Sequence, residues 1–197
     1  ADIARHRLDV FHGPVNALPV LRRTPGVVTV HDLAFLRYPQ SVPRGRRAWL
    51  VGAIRHSARV ADRIVTVSQH TADDLVDWLG IEAARISVIP LAASPGIRRL
   101  TGAELRVFRL KYDLERPHVL AVGTLEPRKN LAMLLRAFAA IRDEVPHRLV
   151  LVGPEGWLND ELHETVRDLD LGDRLVMTGF ADDATLGGWY SSAGLVA

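Results

Sequence analysis

The sequence predicts an α/β protein with parallel sheets, divided into two units. Three observations carry this. Seven short runs rich in Val, Ile and Leu lack apolar–polar alternation, which suits strands buried on both faces of a parallel sheet. Longer stretches with helical spacing separate them, giving strand–helix–strand order. The rhythm breaks once near the middle and then restarts.

The elements follow in order. LDVF (8–11) and VVTV (27–30) are predicted strands, then a helix over 46–60, a strand at IVTV (64–67), a helix over 71–79 and a strand at ISVI (86–89). Ser68 is placed to start the 71–79 helix. Residues 92–116 interrupt the pattern with a Ser-Pro-Gly turn signal and a short amphipathic stretch. This sets the units at 1–92 and 93–197, the second beginning with a linker over 93–116. Strands resume at VLAV (119–122), LVLV (149–152) and LVMT (175–178). Leu131, Leu134, Leu135, Phe138 and Ile141 form one helical stripe, and Leu162, Val166 and Leu169 form another. Asp182 or Asp183 is placed to cap a helix carrying Leu186, Trp189 and Tyr190.

Composition excludes several classes. The chain has 197 residues, 48% hydrophobic and 24% charged, with 25 basic against 23 acidic residues. That balance does not argue for nucleic-acid binding. There are no cysteines, so no disulfide and no Cys-ligated metal centre exists. No apolar run reaches the roughly 18–20 residues of a membrane span. The chain starts ADIARHRLDVF without an initiator Met and stops at SSAGLVA inside an apolar run. It reads as a piece cut at both ends.

In doubly wound sheets ligands sit at the carboxyl ends of the strands, so the residues after each apolar run are the chemical candidates. After VVTV comes His31-Asp32. A histidine there can contact a ligand, shuttle a proton, bind a metal or simply bond nearby backbone. The LAFLRYP that follows is unusually apolar for a loop and is expected to pack over something. After VLAV comes GTLEPRKN, holding Lys129, one of two lysines in the chain. Gly123 allows close backbone approach. Asn130 or Lys129 begins a helix whose free N–H groups attract anions. Positive charge at a helix N-terminus costs about 0.3–1 kcal/mol unless an anion offsets it, so Arg128 and Lys129 point to a phosphate. The alternative is a solvated loop in which Glu126 pairs with Arg128. After LVLV comes the tight turn Gly153-Pro154-Glu155-Gly156, and after LVMT comes Gly179-Phe180-Ala181-Asp182-Asp183, where Phe180 could flank a base. Asp168-Leu169-Asp170 is not a metal motif, because i and i+2 diverge on a helix. No Gly-x-Ser-x-Gly surrounds Ser68.

Taken in order, these stretches resemble the retaining glycosyltransferase family four, which has the GT-B fold. The matching segments are DVFHGPVNALP, VVTVHDLAFLRYPQ, ADRIVTVSQHTADDL, ISVIPLA, VGTLEPRKNLAMLLRAF, LVLVGPEGW and VMTGFADDATLGGWYSSAGLVA. HDLAFLRYP and GTLEPRKN look like the bacterial branch that adds mannose, rhamnose or related sugars to surface polysaccharides.

The resemblance implies two Rossmann-like domains with a cleft between them, an acceptor side in 1–92 and a donor side in 93–197. It implies transfer of a hexose, with retention of configuration, from a nucleoside-diphosphate sugar such as GDP-mannose to a glycan or lipid-linked acceptor. It implies no cofactor and no metal. Lys129 would hold the donor diphosphate with Arg128, Thr124 and Gly123 beside it. His31 would lie near the donor sugar as the catalytic-centre residue. Gly179, Phe180, Ala181 and Asp182 would lie on the nucleobase and ribose side. Much of the family has arginine where this chain has Thr124, so either Arg128 replaces that charge or diphosphate binding is weaker. The family's glycine-rich loop would precede residue 1 and its glutamate motif would follow residue 197, so the isolated chain is expected to turn over poorly. A cytoplasmic location is expected, and helix 46–60, with Arg44, Arg46, Arg47, Arg55 and Arg59 around an apolar stripe, is a candidate surface for peripheral contact at the inner face of the membrane; the alternative, which the residues favour, is a core-packed helix with a solvated basic face. The competing class is a non-catalytic two-lobed module that binds nucleoside diphosphate. A dinucleotide-dependent dehydrogenase ranks lower, because no GxGxxG follows an early strand.

Overall fold

The computed structural model describes residues 8–20 and 24–197, and the start of the chain through residue 7 lies outside them. The chain forms two compact units, Ala1–Ala92 and Ala93–Ala197.

The first unit holds a four-stranded parallel sheet in the order β1 (Phe11–Gly13), β2 (Gly26–Val30), β3 (Arg63–Thr66), β4 (Ile86–Val88). The first strand lies later than the apolar run 8–11 predicts. Leu8 and Val10 are exposed, and pairing begins only at Phe11 opposite Gly26. Val28, Val30 and Ile64 are fully buried. Against them pack α2 (Arg44–Val60) through Ile54 and Ala58, and α3 (Gln69–Leu79) through Leu75. The apolar stretch after His31 does pack inward. It forms the short helix α1 (Ala34–Arg37), and Leu33 and Phe35 enter the core. Ser68 caps α3 by accepting from the Thr71 N–H at 3.2 Å, and Gly80 ends that helix in the left-handed region.

The second unit holds a parallel sheet in the order β7-β6-β5-β8, with β5 (His118–Val122), β6 (Arg148–Val152), β7 (Leu175–Met177) and β8 (Leu195–Val196). Successive side chains of β5 and β6 enter two different cores. Ala121, Leu149 and Leu151 face α5 (Leu131–Ile141) and α6 (Asp160–Leu169). Leu120, Val150 and Val152 face α4 (Gly102–Lys111) and α7 (Asp183–Ser192). Both faces are buried, which is why these runs show no alternation. The stretch expected as a linker contributes to this second core. Phe108 of α4 meets the buried Trp189 of α7 edge-on and Tyr112 meets it at a tilt, with centroids 5.3 and 4.8 Å away.

The order β7-β6-β5-β8 has a consequence for ligand binding. The chain steps outward from β5 to β6 to β7, then returns through α7 to the opposite edge of β5. The topological switch point therefore lies between β5 and β8, where open α/β sheets place their ligands.

Candidate functional site

The strand ends of the second unit are drawn together by glycines. The Gly123 N–H donates to the Val152 carbonyl at 2.9 Å, and the Gly153 N–H donates to the Gly179 carbonyl at 2.9 Å. The Leu125 N–H donates to the Pro154 carbonyl at 3.0 Å. A Cβ at position 153 would stand 2.0 Å from the Gly123 oxygen, and one at position 156 would stand 2.3 Å from the Leu125 oxygen. Only glycine allows these loops to meet.

GTLEPRKN lies at the switch point. Pro127–Lys129 form one turn of 3-10 helix, Asn130 takes a left-handed conformation, and α5 begins at Leu131. The Asn130 side chain makes no capping bond, and the Met133 N–H donates to the Asn130 carbonyl at 3.1 Å, so the N–H groups of α5 left for a ligand are those of Leu131 and Ala132. The Lys129 side chain folds back over the end of β5. Its Cε lies 3.1 Å and its Nζ 3.5 Å from where a Cβ of Gly123 would be. Gly123, at φ 148°, is thus what gives the ammonium its seat. A cavity of about 450 Å³ opens here, lined by Gly123, Lys129, Asn130, Met133 and Ala197 among others.

The other predicted residues differ in what surrounds them. Arg128 is ion-paired to Glu126 at 2.6 Å, and the Glu126 side chain is only 6% exposed. Arg128 therefore has an internal partner, while Lys129 has no ion pair among the described residues. Thr124 is half-buried, with its methyl directed toward Gly156. Gly179 joins the cluster through its carbonyl, and its φ of 74° sends the next residue outward. Phe180 stands 76% exposed. Ala181 packs in the Trp189 core. Asp182, the cap of α7, accepts from the Thr185 N–H at 2.8 Å. Bonds from Thr185, side chain first and backbone second, hold its carboxyl below the usual range.

His31 belongs to the first unit, at the carboxyl end of β2. Its Nε2 lies 2.9 Å from the Pro14 carbonyl. A carbonyl only accepts, so Nε2 carries a proton and donates it in this bond. Its own N–H donates to Asn16 Oδ1 at 3.3 Å, and its carbonyl accepts from the Thr71 hydroxyl at 3.2 Å. The ring is thereby held by the loop after β1 and the first turn of α3. Sequence reading missed Asn16 and Thr71 as its supports. The signal was Asn16 in the HGPVN loop, where φ of 50° suits asparagine. Asp168 is exposed on α6 and Asp170 ends it in the left-handed region, both outside the cluster described above. Among the described residues no group of three or more His, Asp or Glu is placed to hold a metal.

Comparison with known proteins follows this division. The model for Glycosyltransferase Family 4 matches residues 1–95, and the model for Glycosyl transferases group 1 matches residues 116–197. The chain is 30% identical over 187 residues to the O-antigen chain mannosyltransferase B of Escherichia coli, covering 93% of this chain and 49% of that protein. It is 29% identical to the 2-deoxystreptamine glucosyltransferase of Streptomyces kanamyceticus, covering 91% of this chain and 49% of the other. Among solved structures, Anabaena HepE with UDP and glucose superposes with a TM-score of 0.71 at 21% identity, covering 88% of this chain and 46% of that one. A glycosyltransferase from Rickettsia africae gives 0.68 at 17% identity, covering 99% and 52%. The chain spans about half the length of the curated relatives it matches. By its two family models, these relatives and its paired parallel-sheet units, the chain belongs to the family-four-like glycosyltransferases of GT-B fold.

Proposed function

We propose that a protein containing this chain transfers a hexose from a nucleoside-diphosphate sugar to a glycan or lipid-linked saccharide, with retention of anomeric configuration and without a bound metal. The observation that carries this is Lys129, seated over Gly123 at the switch point of the second sheet beside the open N–H groups of α5. Phosphate oxygens suit that combination of ammonium and helix start. Relatives named as mannosyltransferases and a structural neighbour crystallised with UDP support the reading. GDP-mannose is the donor we favour. Gly179 and the exposed Phe180 would face the nucleobase, with the Asp182 cap fixing their loop.

In this mechanism the departing diphosphate takes the acceptor proton on the face from which it leaves. The C–O bond to the diphosphate breaks as the acceptor oxygen bonds to the same face of the sugar. Lys129 and the α5 N–H groups stabilise the charge growing on the diphosphate, which is electrostatic catalysis by fixed donors. His31 in its neutral form, with the proton on Nε2, offers Nδ1 to a sugar hydroxyl. The reaction is placed at the cytoplasmic side of the membrane.

Calorimetric titration tests the site. Lys129→Ala is expected to weaken binding of GDP or UDP by about tenfold to a hundredfold, since a hydrogen bond to a charged group contributes about 1.5–3 kcal/mol. His31→Ala is expected to lower transfer and leave nucleoside-diphosphate affinity in place. Equal affinity in Lys129→Ala and wild type removes the site. A second reading, a non-catalytic nucleoside-diphosphate-binding module, is favoured by one feature: with Thr124 neutral and Arg128 engaged by Glu126, one ammonium faces the cavity. Under that reading His31→Ala changes nothing measurable.

A further inference from the structure

Glu126, Arg128 and Lys129 lie within one turn of chain, and that turn sends the two cations apart. Pro127–Lys129 form a single 3-10 turn entered from Glu126. The Lys129 N–H donates to the Glu126 carbonyl at 3.0 Å, and the Asn130 N–H donates to the Pro127 carbonyl at 3.0 Å. A 3-10 helix has three residues per turn, so neighbouring side chains leave about 120° apart and residues three apart eclipse. Arg128 and Lys129 are neighbours; of the two, Lys129 lines the cavity of about 450 Å³ and Arg128 does not. Glu126 and Lys129 are three apart, the spacing at which opposite charges on a helix pair.

That spacing puts the site at risk from inside. The Glu126 side chain is 6% exposed, and a carboxylate held so far from water needs a charged or hydrogen-bonding partner. It does not turn freely to solvent, because Leu125 before it is bonded to the Pro154 carbonyl at 3.0 Å and the 3-10 turn closes behind it. The narrow cleft it lines also holds Leu158, Leu162 and Glu161, which offer no cation. Two cations are near enough along the chain to serve it. The structure uses Arg128, whose Nη2 stands 2.6 Å from Glu126 Oε1. Lys129 is left to fold over Gly123, with its Cε 3.1 Å from where a Cβ would stand.

We propose that Arg128 is a positioning residue that keeps Lys129 free for phosphate: by occupying the Glu126 carboxylate it prevents a Glu126–Lys129 pair that closes the site from within. Arg128 acts on the ligand through Lys129 and does not touch it. The proposal rests on the reading of Lys129 as the phosphate-binding residue. It adds that Glu126 is an internal competitor for that ammonium.

Magnetic resonance of lysine carrying carbon-13 at Cε tests the pairing without any ligand. The chain has two lysines, so Lys111 serves as the reference and Lys129→Arg identifies the other signal. In Arg128→Met the Lys129 signal is expected to shift before nucleotide is added, and adding Glu126→Gln is expected to bring it back. Calorimetric titration with GDP tests the consequence. With about one molecule in ten keeping Lys129 free, Arg128→Met binds about tenfold more weakly than wild type. The variant with both Arg128→Met and Glu126→Gln is expected to regain most of that loss, although it holds one cation fewer. A Lys129 signal that does not move in Arg128→Met, or that Glu126→Gln fails to return, overturns the proposal. So does a double variant that stays as weak as Arg128→Met, because Arg128 then binds phosphate itself. If Arg128→Met does not fold by circular dichroism, the double variant, which strands no carboxylate, decides alone. Affinity near that of wild type then upholds the proposal, and a loss as large as that of Lys129→Ala overturns it. Lys129→Ala also separates the two ideas. Unchanged GDP affinity there removes the phosphate site and this inference with it. Weakened affinity there, with full affinity in Arg128→Met, removes this inference alone.

Discussion

Arg128 and Lys129 are neighbours with the same charge, yet their surroundings give them different work. Arg128 compensates the Glu126 carboxylate, which is nearly buried, so removing it strands a charge inside the loop. Removing Lys129 strands nothing. Arg128→Met is therefore expected to lower the unfolding free energy by about 1–3 kcal/mol, with part recovered when Glu126→Gln is added. Lys129→Ala is expected to lose nucleotide affinity and keep its melting temperature. Denaturant titration of these variants checks the distinction, and equal destabilisation by both single substitutions would abolish it. The Glu126–Arg128 pairing was legible as one alternative in the sequence. Its burial was not, because that depends on where α6 packs. His118 is a second residue whose role only packing reveals. It is 1% exposed, its ring stands edge-on to Trp189 at 6.1 Å, and Nε2 has no partner. Burial first, then the charges of Arg109 and His147, lowers its pKa from 6.5. The folded state thus prefers the neutral ring. The unfolded chain binds the proton first, so stability is full above about pH 6.5 and falls as pH drops below it. Melting curves from pH 8 to 5 should show that loss in wild type, and a flatter profile in His118→Phe.

An element can owe its sequence to a neighbour distant along the chain, and α7 is an example. Gly187 and Gly188 are poor helix residues, and nothing local explains them. A Cβ at 187 would stand 2.5 Å from the Arg98 carbonyl oxygen, and one at 188 would stand 2.1 Å from the Phe108 ring. The segment before α4 lies along α7. The Ser94 hydroxyl donates to Asp183 at 2.5 Å, and the Leu100 N–H donates to the Ser191 hydroxyl at 2.8 Å. Gly188→Ala is expected to cost about 1–3 kcal/mol by overpacking against Phe108, read as a drop in melting temperature. An unchanged melt would mean that Phe108 moves aside freely. Periodicity found α5 and α6 because their apolar stripes are local. It read 93–116 as a linker because only Phe108 and its near neighbours reveal the second core. Arg85 and Arg174 were likewise illegible as structural residues. Arg85 binds the Ala58, Arg59 and Ala61 carbonyls at the end of α2. Arg174 binds the Arg142, Val145 and His147 carbonyls beyond α5. In each unit an arginine just before a strand satisfies the end of the helix before last.

At the scale of the whole molecule, the candidate site belongs to one unit and the chain has two. Gly123, Lys129 and the start of α5 all lie in Ala93–Ala197, and each unit has its own core. Sequence order could suggest which loops follow strands, but not that β8 returns to the far edge of β5. That return creates the switch point, and it is a nonlocal pairing of Val119 with Leu195. Two cores allow two unfolding events, and a ligand stabilises only the folded form that binds it. Calorimetry is therefore expected to resolve two transitions, with GDP or UDP raising the one that belongs to the second unit. At a ligand concentration near a hundred times the dissociation constant the gain is about 2.7 kcal/mol. At that same concentration Lys129→Ala, binding tenfold to a hundredfold more weakly, should cut the gain to about 0.4–1.4 kcal/mol while both transitions keep their temperatures without nucleotide. Tryptophan emission assigns them, because Trp157 and Trp189 lie in the second unit and Trp49 and Trp78 in the first. A variant carrying both Trp157→Phe and Trp189→Phe should silence the fluorescence change of the ligand-sensitive transition. If nucleotide instead raises only the transition reported by Trp49 and Trp78, the phosphate site lies in the first unit and the role given to Lys129 is wrong.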